Sequence, residues 1–131
     1  KKGEYNYSAI QNLKFKHITR YFERQSDTYT VIPKLKKQIS FSYYDVLDTH
    51  TINPPESIYG DFDLIICCNL LIYYRPLVQQ KIIQKLKRNL SAESYLMLGK
   101  TEKNLITEHS LLKSTDTSSG IFLYERGKSE R

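Results

Sequence analysis

Two cysteines, an asparagine and two tyrosines gather at the end of one apolar run: Cys67-Cys68-Asn69 and, shortly after, Tyr73-Tyr74. The chemistry they offer is recognition and orientation. Asn69 carries both amide donors and a carbonyl acceptor, although asparagine also ends strands simply because its backbone tolerates unusual turns. A tyrosine hydroxyl can orient a reacting group, but the chain has 11 tyrosines, and a buried packing role is the rival for Tyr73. Adjacent cysteines in a strand point to opposite faces, so no ordinary long-loop disulfide joins them, and they read as reduced thiols of a cytosolic, hence cytoplasmic, protein. With no second cysteine pair, and with His17, His50 and His109 spread far apart, there is no metal-ligand spacing, and no structural zinc is expected.

The elements around these residues read as strand, loop and helix. Phe62, Leu64, Ile65 and Ile66 show no alternation, the pattern of a strand covered on both faces in a helix-flanked parallel sheet. Arg75-Pro76 then opens a helix over Pro76–Leu90, in which Leu77, Val78, Ile82, Ile83, Leu86 and Leu90 form one apolar stripe. After a turn at Ser91–Ser94, Tyr95–Leu98 forms a second buried strand ending at Gly99. In open α/β sheets ligands bind where strands end and helices begin, which selects Cys67-Cys68-Asn69 and the residues just beyond. Ile39–Tyr44 alternates as a third strand, with Asp45 at its end.

Upstream, Lys1–Arg24 suggests two short helices, the first capped by Ser8. Gln25-Ser26-Asp27 is a turn, Tyr29–Ile32 a short strand closed by Pro33, and Lys34–Lys37 one basic helical turn. Asp48–Gly60 is a surface connection, Asn104–His109 a short helix, Leu111–Thr115 with Ile121–Glu125 an antiparallel hairpin, and Gly127–Arg131 a frayed tail. At 131 residues the chain is one domain's worth. Its 40% hydrophobic and 26% charged content is that of a globular protein, with no apolar stretch long enough to span a bilayer. The net charge of +6 favours an acidic partner.

The run Phe62–Tyr74, FDLIICCNLLIYY, resembles the FDxIxCRNxxIYF signature of the CheR-type chemotaxis receptor methyltransferases. Ile39–Leu47 is similar to that family's VxFxxxNLL, Tyr95–Glu102 (YLMLGKTE) to its YLxLGHSE, and Gly120–Arg126 to its closing strand. Cys68 departs from the family Arg, Asp45 from its usual Asn, and Lys100-Thr101 from its His-Ser. The resemblance implies an α/β, Rossmann-like sheet dependent on S-adenosylmethionine, ending in an antiparallel hairpin. Residues 1–131 would be a single C-terminal portion of the catalytic domain, incomplete in its N-terminal half. The glycine-rich turn and ribose-binding acid of such a fold do not occur here, since the five glycines are isolated in the sequence.

The implied reaction is methyl transfer to glutamate carboxylates of chemotaxis receptors. Little acid–base help is expected, because a glutamate is already ionised at neutral pH and the rate must come from alignment and exclusion of water. The resemblance assigns adenine contacts to Asp45 and Val46, a cofactor contact to Asn69, and a place beside the sulfonium to Tyr73. Asp45 also reads as an ordinary strand-end turn residue. Cys68 takes a cofactor-site position, but a thiol cannot supply the charged fork of an Arg and reads better as a small buried hydrophobe. The implied partner is a chemoreceptor or another acidic helical signalling protein. The alternative is a catalytically dead, methyltransferase-like binding module, while a nucleic-acid partner has only the charge in its favour.

Overall fold

The computed structural model describes residues 2–51, 53–55, 57, 61–106, 111–116 and 118–125. These form two compact units, divided between Phe41 and Ser42.

The first unit is a three-stranded antiparallel sheet with short helices. Its elements are β1 (Glu4–Asn6), α1 (Tyr7–Ile10), α2 (Phe15–Tyr21), β2 (Phe22–Gln25), β3 (Thr28–Val31) and α3 (Pro33–Lys36), with β3 central. The two expected helices exist, but the cap of the first is Asn6 rather than Ser8: the Asn6 side chain accepts the Ala9 N–H at 3.0 Å. β1 and β2 are absent from the sequence reading because both are short and largely polar. They are strands because β3 lies between them and satisfies their backbone groups. The turn between β2 and β3 falls at Ser26, whose φ is 52°.

The second unit holds the elements around the candidate site. β4 (Phe62–Cys67) pairs in parallel with β5 (Leu90–Leu98), and α4 (Pro76–Arg88) connects them. β5 pairs antiparallel with β7 (Ile121–Tyr124), which pairs antiparallel with β6 (Leu112–Ser114), giving the order β4-β5-β7-β6. The parallel pair, its connecting helix and the C-terminal hairpin all match the sequence reading. α4 stops two residues sooner than its apolar stripe suggests, because Asn89 caps it and Leu90 already pairs with Phe62. Ser91–Ser94, read as a turn, is a bulge in β5 opposite Asp63, with Glu93 at φ 59°. A short 3₁₀ turn at Lys103–Leu105 stands where a helix was expected over Asn104–His109; Ile106 is already extended, and residues 107–109 lie outside the described residues, as does the Gly127–Arg131 tail.

Two expectations are corrected. Ile39–Tyr44 joins no ladder, and Ile39, Phe41 and Tyr43 are exposed. Alternation permits an extended segment, but a strand needs a neighbour for its N–H and C=O groups, and no described strand pairs with it. Among the described residues the sheet edge is therefore β4 itself. The described residues also cover β4 on one face only. Ile65 and Cys67, with their partners Leu96 and Leu98, pack with Ile82, Ile83, Leu71, Phe122 and Tyr124. Leu64 (52% exposed) and Ile66 (63% exposed), with their partners Tyr95 and Met97, lie open on the other face.

Candidate functional site

β4 ends at Cys67, and the chain turns at once. Asn69 has φ 58°, a left-handed conformation that asparagine tolerates better than most residues. A 3₁₀ turn over Leu71–Tyr73 follows, and Arg75-Pro76 starts α4. Leu71 is completely buried and anchors this loop in the core, while Asn69 and Tyr73 remain outside it. Tyr73 is 78% exposed, which removes the core-packing reading for this tyrosine.

The loop is held by Glu102, the last residue of the YLMLGKTE stretch, to which the motif assigns no role. Its carboxylate is fully buried. Oε2 accepts the N–H groups of Asn69 and Gly99, each at 2.9 Å. Oε1 accepts those of Leu71 at 2.7 Å and Ile72 at 3.4 Å. Burial by itself pushes this carboxyl up, but the N–H groups of Asn69, Gly99, Leu71 and Ile72 together hold it below the usual glutamate value. Gly99 makes room for it, since a Cβ there would stand 2.6 Å from Glu102 Oε2 and 3.0 Å from Asn69 Oδ1. The legible signal was a glycine ending a strand with a glutamate three residues later, a spacing that turns the carboxylate back onto the glycine N–H. Glu102 N–H in turn donates to Gly99 O at 2.9 Å.

The second loop, around Asp45, is built differently. Asp45 Oδ1 accepts the Leu47 N–H at 2.8 Å, so this carboxylate closes its own turn, though no described strand ends there. Val46 is half-buried and packs against the core of the second unit. Lys85 of α4 holds the loop: its Nζ donates to the backbone oxygens of Asp45 at 3.3 Å and of Asp48, and sits 4.7 Å from the Tyr44 ring centroid. The helical pattern places Lys85 on a solvated face. It is half-buried instead, and nothing local in the sequence signals a contact so distant along the chain.

The two cysteines divide between the faces. Cys67 is buried, and burial pushes its thiol up to about 11. Cys68 is exposed, with Sγ 3.9 Å from Met97 O, so the reading of Cys68 as a small buried hydrophobe is corrected. The strand end alternates, and only the Cys67 side meets the core. Between the two loops lies a cleft of about 490 Å³ whose walls include Val46, Ile66, Cys68 and Leu70. It brings Val46 and Cys68 together, while Asp45, Asn69 and Tyr73 are not part of its lining.

Residues 1–121 match the family described as CheR methyltransferase, SAM binding domain. Among curated proteins the chain is similar to the chemotaxis protein methyltransferase Cher2 of Pseudomonas putida, at 30% identity over 78% of this chain and 36% of that protein. It is likewise similar to a chemotaxis protein methyltransferase of Listeria monocytogenes, at 30% over 79% and 37%. Chemotaxis protein methyltransferase 1 of Pseudomonas aeruginosa is 29% identical over 83% and 39%. The chain thus spans less than two fifths of the length of these relatives.

Proposed function

The chain belongs to the CheR methyltransferase family, within its S-adenosylmethionine-binding domain, and from that premise we propose that it forms the C-terminal part of a Rossmann-like catalytic domain that methylates glutamate side chains of chemotaxis receptors. The observation that carries this reading is the parallel β4–α4–β5 unit, which puts Asn69 and Tyr73 just past the C-terminal end of β4, where α/β sheets bind their ligands.

The residues present fit the adenosine end of the cofactor. The cleft beside Val46 and Cys68 is walled largely by apolar side chains, suits a flat ring, and has the volume of a small-molecule site. When bound, S-adenosylmethionine supplies a methyl carbon made electrophilic by its sulfonium. Val46 packs on the ring. Asp45 accepts the Leu47 N–H through Oδ1, and its other carboxylate oxygen would accept a donor of the ring. Asn69 offers its amide at the loop bend. Tyr73, exposed at the end of the 3₁₀ turn, orients the reacting groups through its hydroxyl. Cys68 contributes thiol and apolar surface at the cleft wall and no charge.

A partner rich in acidic residues suits the chain's charge, which is unevenly spread. Lys1–Phe41 holds nine Lys and Arg against three Asp and Glu, whereas the sequence from Ser42 onward balances at eleven against eleven. The whole net charge of +6 therefore sits in the first unit, and that unit is the proposed contact for an acidic receptor helix.

The test is an amide-resolved NMR titration of the chain with S-adenosylhomocysteine up to millimolar concentration. Val46, Cys68, Asn69 and Leu70 should shift together while the first unit stays still. Calorimetry should give a dissociation constant weaker than the low micromolar range, because the described residues fit the adenosine end alone; about −8 kcal/mol would show that this chain supplies more of the pocket. A titration that leaves these four amides unmoved would end the reading.

A further inference from the structure

We propose that Glu102 is the positioning residue of this site: its ionised carboxylate fixes the Asn69–Tyr73 loop to the end of β5, so that the loops closing two parallel neighbouring strands act as one rigid unit. This rests on the cofactor-binding reading above and names the group that makes it possible.

Glu102 lies at the turn after β5, yet three of the four N–H groups it accepts belong to the loop after β4: those of Asn69, Leu71 and Ile72. These amides fall where the β4 ladder has ended and the 3₁₀ turn has only begun, so strand and helix leave them unpaired, and buried N–H groups need partners. One carboxylate with two oxygens meets all three, together with Gly99 N–H. A neutral amide cannot replace it, because glutamine has a single acceptor oxygen and would turn an NH₂ towards N–H donors. An aspartate is shorter by a methylene and would not reach both sides. The arrangement is also sterically exclusive, since only glycine at position 99 leaves space for Oε2.

The left-handed bend at Asn69 is therefore held rather than merely tolerated. Its N–H is bound to a buried charge, and Leu71, two residues on, is locked in the core by both its side chain and its N–H. Asn69 and Tyr73 flank that locked point. Glu102 itself is fully buried, so it acts through the two residues it places.

The test uses the chain itself, in wild-type form and as Glu102→Gln, followed by amide NMR. In the wild type, the N–H signals of Asn69, Leu71, Ile72 and Gly99 should titrate together as acid is added, with a common midpoint below the ordinary glutamate value. In Glu102→Gln the same four should lose their hydrogen-exchange protection while Leu96 and Phe122 keep theirs. The S-adenosylhomocysteine dissociation constant, read from Val46 and Asn69, should rise at least about tenfold. If Glu102→Gln does not fold, Gly99→Ala keeps the charge but displaces the carboxylate, and should loosen the same amides and weaken binding in the same direction. Four amides that titrate independently would overturn the clamp. Lost protection with unchanged affinity in the folded variant would overturn the positioning role and leave a purely structural carboxylate. Absence of any S-adenosylhomocysteine response in the wild type would overturn the cofactor reading and, with it, the positioning role, while a common titration of the four amides would still uphold the clamp.

Discussion

The two faces of the β4-β5-β7-β6 sheet are almost equally apolar in sequence and quite different in structure. On one, Ile65, Cys67, Leu96, Leu98, Phe122 and Tyr124 are packed under α4 and the Leu71 anchor. On the other, Leu64, Ile66, Tyr95 and Met97 are exposed. An apolar pattern records where a side chain is suited to be buried; whether it is buried depends on what packs there. The candidate site sits where the two regimes meet, at the end of β4. There Cys67 faces the core and Cys68 does not, and Leu71 is sealed in while Asn69 and Tyr73 are left outside it.

The largest expected difference between the faces is in stability. Leu96 is completely buried between Ile65 and Phe122. Leu96→Ala should lower the unfolding free energy by about 2 to 5 kcal/mol, through lost transfer energy and the cavity left behind. Ile66→Ala, on the open face, should change it by less than about 0.5 kcal/mol. Denaturant unfolding of both variants decides the matter, and equal losses would mean that the second face is covered in solution.

Acid should act next, on the covered side through Glu102. Glu102 is held below the ordinary glutamate value, so its folded pKa is depressed relative to the unfolded chain. Its contribution is complete above about pH 4.3 and is lost as pH falls through the folded value. Thermal unfolding followed from pH 6 downward should show a steeper acid slope in the wild type than in Glu102→Gln. Parallel slopes would mean that the carboxylate is not the titrating group.

The adjacent cysteines report on the same boundary at single-residue scale. At pH 8 an aromatic disulfide reagent should modify Cys68 rapidly. Cys67, buried and with its thiol pushed up to about 11, should react about a hundredfold more slowly or only on unfolding. Cys68→Ser should abolish the fast phase. Two fast thiols would show that the core opens at the end of β4.

What the sequence made legible follows the same division. The parallel pair, α4 and the hairpin were readable because their apolar residues recur at strand and helix spacing and their neighbours bury them. Ile39–Tyr44 has the right alternation but no partner strand among the described residues, which alternation cannot report. β1 and β2 were invisible for the opposite reason, since they are polar segments made into strands by the neighbouring β3. At the candidate site, the strand end and the motif single out Asn69 and Tyr73 as candidates. The groups that hold the two loops are harder to read: Lys85 acts through contacts far along the chain, and the Gly99-to-Glu102 spacing signals the bond to Gly99 but not those to the loop after β4.

Tyr73 carries the smallest expected effect on stability and the sharpest question about exposure. An exposed side chain on the open face is idle for folding, and Tyr73, at 78% exposure, should be equally idle, so Tyr73→Phe should leave the melting temperature of the chain within error of wild type. Idle for folding is not idle for chemistry. In a chimaera that joins this chain behind the remaining length of the Pseudomonas putida relative, the phenylalanine keeps the ring and removes only the hydroxyl. If that hydroxyl orients the reacting groups, kcat should fall by about ten- to a hundredfold, or about 1.4 to 2.7 kcal/mol of transition-state stabilisation, with cofactor affinity unchanged. Single-turnover methylation and thermal unfolding of the same sample separate the possibilities. A lowered melting temperature with a normal rate per folded molecule would make the hydroxyl a structural hydrogen-bonding group, against its exposure. An unchanged rate and an unchanged melting temperature would put Tyr73 with Leu64 and Ile66, as surface that neither the fold nor the reaction uses.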